Sequence, residues 1–184
     1  MERCRLLGAL FLLMVGGCSR ESPPPPPAPP APSTAVTATA PLTLEQARTR
    51  AQDSDARRAG WRSVPGTLQA GEITSRFVAL YDSGVLRLIE ERSDAGEAGS
   101  SIARYYLDTT ATLFLFDARE ERAAAGAAPG GVREVVKTSM VFEPDGRMVA
   151  SQKYVDARMQ PLLKEEIDSV VQRLAALRAA APRL

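Results

Sequence analysis

Three lysines, scattered carboxylates and two cysteines carry the chemistry this sequence offers, because it contains no histidine. Histidine is the commonest general base and the commonest metal ligand, so its absence removes both together. A serine nucleophile would then need lysine as its base. Lys137, Lys153 and Lys164 each fall in a strand or helix pattern that leaves the ammonium solvated. Glycoside hydrolysis asks only for two carboxyl groups on opposite sides of a sugar. Glu90, Glu91, Asp108, Asp117, Glu143 and Asp145 lie in or beside strand patterns, but no spacing selects a pair, and turn formation or solvation accounts for them. The acidic turns at Asp82, Asp108 and Asp145 lack the alternating oxygen ligands of calcium loops. Gly126, Gly130 and Gly131 lead into a strand rather than a helix, the wrong context for a phosphate cradle. These residues point to a noncatalytic protein without a metal or cofactor site.

One residue does sit in a reactive context. Met1 to Arg5 carries two arginines, Leu6 to Val15 is apolar apart from Gly8, and Gly16, Gly17 and Cys18 follow. An apolar run this short falls below the roughly 20 residues that span a bilayer, so the layout reads as an export signal with a small-residue cleavage site. The tetrad Val15-Gly16-Gly17-Cys18 resembles the lipobox of bacterial lipoproteins. That resemblance implies thioether acylation of Cys18, cleavage just before it and acylation of the new amino group. Two or more acyl chains, each contributing about 0.8 kcal/mol per buried methylene, make a firm anchor. Ser19 stands where aspartate would resemble an inner-membrane retention signal, so the resemblance implies an outer-membrane lipoprotein facing the periplasm.

Residues 1–17 are expected to be the signal peptide, 18–41 the acylated cysteine and linker, and 42–182 one α+β domain. Glu21 to Pro41 is almost entirely Pro, Ala, Ser and Thr, with Pro23 to Pro27 consecutive. Such a segment cannot bury enough apolar surface to fold, and it favours a polyproline helix rising about 3.1 Å per residue. It is expected to be a semi-rigid stalk reaching roughly 60 Å. Of 23 Lys and Arg and 22 Asp and Glu, removal of Arg3, Arg5 and Glu2 leaves 21 of each sign. A neutral mature chain gives no compositional support to nucleic-acid binding or to a polybasic grip on anionic lipid. Beyond Cys18 there is no cysteine, so the domain must be held by its core without a disulfide.

The elements follow from periodicity. Thr43 and Gln46 fit a capping box, and Leu44, Ala47 and Ala51 recur on one side, which predicts a short helix from about 43 to 57. Gly60, Pro65 and Gly66 are expected to break the chain, and Trp61 to plug the core. Three hairpins follow: 74–81 with 85–92, 102–107 with 113–116, and 135–142 with 148–155. They predict an antiparallel meander of about six strands. Leu163, Ile167, Val170, Leu174 and Leu177 then mark a longer amphipathic helix expected to cross one sheet face.

The stretch from Ser101 to Phe116, with Tyr105, Tyr106 and the run Leu113 to Phe116, resembles small exported bacterial proteins of unknown function with repeated aromatic hairpins. The resemblance lends no functional residue. Because Tyr105 and Tyr106 must point to opposite faces, one face is expected under the helix, while the other either carries exposed aromatics suited to a ligand or is buried by curvature of the sheet. The sequence thus predicts an envelope binding or assembly module for a protein or cell-wall component. A lipid-handling domain and a carboxylate enzyme are the alternatives.

Overall fold

The computed structural model describes residues 40–71, 73–124, 126–127 and 131–182. They belong to a folded unit spanning Thr39–Leu184. The signal, Cys18 and nearly all of the proline-rich segment lie outside the described residues. In chain order the elements are α1 (Leu44–Arg57), β1 (Arg62–Ala70), β2 (Ile73–Asp82), β3 (Val85–Asp94), β4 (Gly99–Leu107), β5 (Leu113–Ala123), β6 (Arg133–Phe142), β7 (Met148–Val155), β8 (Arg158–Gln160) and α2 (Lys164–Ala180). The eight strands form one antiparallel sheet in which each strand lies beside its chain neighbours. The α+β meander between two helices is as expected, but the strand number is eight rather than six.

Both additional strands lie at the edges. β1 holds the Pro65 and Gly66 that were expected to break the chain, and it survives because an edge strand can leave the proline nitrogen outside the ladder. Gly66 lies opposite Phe77, whose ring covers it so closely that a Cβ would sit 2.2 Å from the ring carbon Cζ. β8 is too short for a periodic signal, and it is made by a two-residue turn in which Asp156 and Ala157 both have positive φ. The Ser83-Gly84 turn between β2 and β3 has the same sign of φ at both positions, the geometry that matches strand twist.

α1 begins as its sequence predicts. Thr43 Oγ1 accepts from the Gln46 amide at 3.3 Å, while Gln46 Oε1 accepts from the Thr43 amide at 2.9 Å. In α2 the buried seam is Val170, Leu174 and Leu177. Leu163, expected to open that seam, instead lies outside the helix at its N-cap and is 57% exposed. There its amide donates to Glu166 Oε2 at 2.9 Å.

The helices cover opposite faces of the sheet. Phe77, Ile89, Tyr105, Phe116 and Met140 pack with the α2 seam. Leu80, Leu88, Tyr106, Leu115 and Val141 pack with Ala47 and Ala51 of α1. Alternation along each strand therefore feeds two cores, and each fully buried Leu, Ile or Phe contributes about 1.5–3 kcal/mol. Trp61 joins the α1-side core as a half-buried side chain, with the Arg87 guanidinium 5.9 Å from its ring centroid.

Candidate functional site

The chemistry-bearing side chains are mostly committed to holding the layers together. Beneath α2, Glu91 is 5% exposed. Its Oε1 accepts from Ser75 Oγ at 2.6 Å and from Arg173 Nε at 2.9 Å, and its Oε2 accepts from the Tyr105 hydroxyl at 3.3 Å. Such a charge is tolerated inside because its lone pairs are met and its sign is balanced. Burial, and then the adjacent Glu91 carboxylate, hold the Tyr105 phenol well above its ordinary range, so it stays a neutral donor.

Lys153 was expected to be solvated, but it is 9% exposed and donates to Glu166 Oε1 at 2.6 Å. The reason is its strand parity, which turns it beneath α2. Desolvation acts to raise the Glu166 pKa, but the Leu163 amide and Lys153 outweigh it and hold the carboxyl below its ordinary value. Lys164 is exposed and paired with Asp168, as solvation predicts, and Lys137 is exposed on β6.

A second network links α1 to the sheet. Tyr106 donates to Asp55 Oδ2 at 3.1 Å, and Arg58 and Arg104 both donate to Glu90 Oε1, at 3.2 and 3.0 Å. Burial first, and then the Asp55 carboxylate, push the Tyr106 phenol up to about 12. Arg48 reaches Ser139 Oγ at 3.2 Å and Gln152 Oε1 at 3.3 Å, and Ser139 in turn donates to Asp117 at 2.7 Å. Arg58 joins Asp55 and Glu90, as Arg122 joins Glu120 and Glu134 and Arg147 joins Glu143 and Asp145, so each of these acid pairs shares a cation, while Asp55 Oδ1 is buried without a hydrogen-bond partner.

The turn acids behave as turn formers. Asp108 Oδ1 accepts from the Thr110 and Thr112 amides, each at 2.8 Å. Desolvation opposes its ionisation, but the hydrogen bonds from Thr110 and Thr112 prevail and lower its pKa. Asp145 accepts the Arg147 amide at 2.9 Å, Glu143 takes the Arg147 guanidinium at 2.7 Å, and Asp82 lies 3.6 Å from Arg87. Among the described residues no group of three or more Cys, Asp or Glu is placed to hold a metal ion.

The aromatics are not displayed as expected. Tyr105 and Tyr106 do face opposite ways, but both are buried, as are Tyr81, Phe114, Phe116 and Phe142. The exposed strip fails because α1, which is short, still covers the centre of the second face. Arg50 completes that cover, with its guanidinium 4.3 Å from the Phe114 centroid. Phe77, Phe116, Met140, Leu174 and Leu177 pack the middle of the space between α2 and the sheet, while towards the start of α2 an open groove of about 320 Å³ remains, lined by Ala118, Val136, Thr138, Glu165 and Ser169 among others.

What remains open is the part of the α1-side face beyond the helix. α1 runs across the strands, from Arg48 over β6 and β7 to Asp55 over β4, and Arg58 just after it reaches β3. Beneath it runs the row Val78, Glu90, Arg104, Asp117, Ser139 and Gln152, in which Arg48 holds Ser139 and Gln152 and Arg58 holds Glu90. Two residues further along the strands, about 7 Å away, lies a parallel row. This second row reads Thr67, Arg76, Arg92, Ile102, Arg119, Lys137, Tyr154 and Met159 from β1 to β8. Its four cations are exposed, Ile102 and Met159 are 42% and 66% exposed, and Tyr154 is half-buried. Sequence reasoning missed this row because its members come one from each strand and align only through the register.

No protein-family model matches the chain, and neither a curated protein nor a solved structure is significantly similar to it.

Proposed function

We propose that this chain is a noncatalytic binding module of the bacterial envelope, anchored by acyl chains on Cys18 and displayed on its proline-rich stalk. The observation that carries the noncatalytic part is the commitment of the buried acids. Glu91 is neutralised by Arg173 and hydrogen-bonded by Ser75 and Tyr105, and Glu90 is shared between Arg58 and Arg104. A general acid or base needs a proton exchangeable with substrate, and these groups are spent on joining helices to the sheet. The anchor rests on the Val15-Gly16-Gly17-Cys18 tetrad and the proline-rich segment after it. Among the described residues no helix is long and apolar enough to cross a membrane.

Binding in this reading occurs on the open half of the α1-side sheet face. Fractionation of cells producing the wild type or Cys18→Ala tests the tether. The proposal expects the wild type in the outer-membrane fraction and the variant released from it. Identical distribution of the two would refute anchoring through Cys18.

A further inference from the structure

We infer that the row Arg76, Arg92, Arg119 and Lys137 is a docking ledge for a linear, carboxylate-bearing glycan of the cell wall. The inference rests on the envelope reading above for its ligand, although the ledge itself is a matter of geometry. Arg76 stands directly opposite Arg92, and Arg119 directly opposite Lys137, in the strand register. Like charges paired in this way destabilise a sheet. Nothing on the sheet relieves most of that repulsion: Arg119 donates to Glu121 at 2.8 Å, but Arg76, Arg92 and Lys137 have no ion-pair partner among the described residues. Of the acids two residues away on the same face, Glu90 pairs with Arg58 and Arg104, Glu121 with Arg119, Asp94 and Asp156 each accept a backbone amide at 2.9 Å and Asp117 accepts from Ser139 at 2.7 Å, so they flank the row without forming an ion pair with Arg76, Arg92 or Lys137. Within a neutral composition the row therefore holds three exposed cations that are not ion-paired, and these are free to pair with an anionic ligand.

The shape of the band selects among anions. From β2 to β6 the cations cover four strand intervals, about 19 Å, and the whole row runs about 34 Å across eight strands. α1 lies beside it along the same direction and stands about 10 Å proud of the sheet, so a planar bilayer meets the helix before it meets the arginines. A narrow chain lying along the helix flank fits. An acidic peptide would gain nothing from its backbone there, because the strands crossed are paired on both sides. A single-stranded nucleic acid would need successive aromatic platforms, and Tyr154 is the row's one aromatic. A glycan brings a rigid ring scaffold, carboxylates whose charge complements the cationic row, and C–H faces for Tyr154, Ile102 and Met159. Beside Lys137 the ledge deepens into a depression of about 660 Å³ lined by Arg119, Val135, Lys137, Tyr154, Asp156 and Ala157.

The test is co-sedimentation of the membrane-extracted full-length protein, held in nonionic detergent, with purified peptidoglycan sacculi. The wild type should pellet with sacculi and be released by salt. The triple variant Arg76→Gln, Arg92→Gln, Lys137→Gln should bind about tenfold more weakly, the scale expected for losing three screened ionic contacts. A charge-conserving triple, Arg76→Lys, Arg92→Lys, Lys137→Arg, should retain most of the binding, which separates loss of charge from loss of fold. The inference is overturned if the wild type does not pellet, or if the neutral triple pellets equally. It is also overturned if polyglutamate, single-stranded DNA or anionic vesicles capture the protein while sacculi do not. Sacculus binding in the tube does not depend on where the cell sends the chain, so a failed tether at Cys18 and a failed ledge give different results.

Discussion

Arg173 Nε donates to Glu91 Oε1 at 2.9 Å, joining the middle of α2 to the third strand of the sheet through a pair that is largely out of water. Removing one partner leaves the other charge buried alone. Arg173→Ala is therefore expected to destabilise the fold by about 3 kcal/mol, whereas the double change Glu91→Gln, Arg173→Met should cost less than that single one. Chemical denaturation of the three proteins checks the order.

Gly66 and Phe77 make a second contact that tolerates no addition. A Cβ on residue 66 would overlap the Phe77 ring. Gly66→Ala should lower stability by roughly 1–3 kcal/mol, as overpacking does, and combining it with Phe77→Leu should recover part of the loss. Thermal melts of the single and double variants read this directly.

The turn between β7 and β8 carries strain that can be relieved. Ala157 has φ 67°, a region unfavourable to an L side chain by about 1–2 kcal/mol. Ala157→Gly should raise the melting temperature despite the added freedom of the unfolded chain. Replacing Gly84, where φ is 84°, with alanine should lower it.

Acid should loosen the attachment of α2. Glu166 titrates below its ordinary value of 4.5 in the folded chain because the Leu163 amide and Lys153 outweigh desolvation. A depressed carboxylate contributes stability that is fully present above the unfolded pKa and is lost as pH falls through the folded one. Stability should therefore be flat in this contribution above about pH 5 and decline below 4.5. Glu166→Gln should flatten part of the decline, measured as denaturation midpoints against pH.

The helices, the three hairpins and their turns were legible because each rests on local signals: the Thr43 cap, the Asp108 and Gly146 turns, and the seam at Val170, Leu174 and Leu177. β1 was not, since Pro65 and Gly66 read as breakers and only edge position with the Phe77 ring makes them strand residues. Lys153 read as solvated because charge argues for exposure, while strand parity and Glu166 place it inside. The basic ledge is a property of register across seven pairings, and no window along the chain contains it.

Anchoring through Cys18 is read from the intact mass of the protein extracted from membranes, beside Cys18→Ala. A lipid-anchored protein gives a wild-type chain beginning at Cys18 and heavier than its sequence by acyl groups, with that added mass lost in the variant. A wild-type mass without acyl groups, or a chain beginning elsewhere than Cys18, would contradict it.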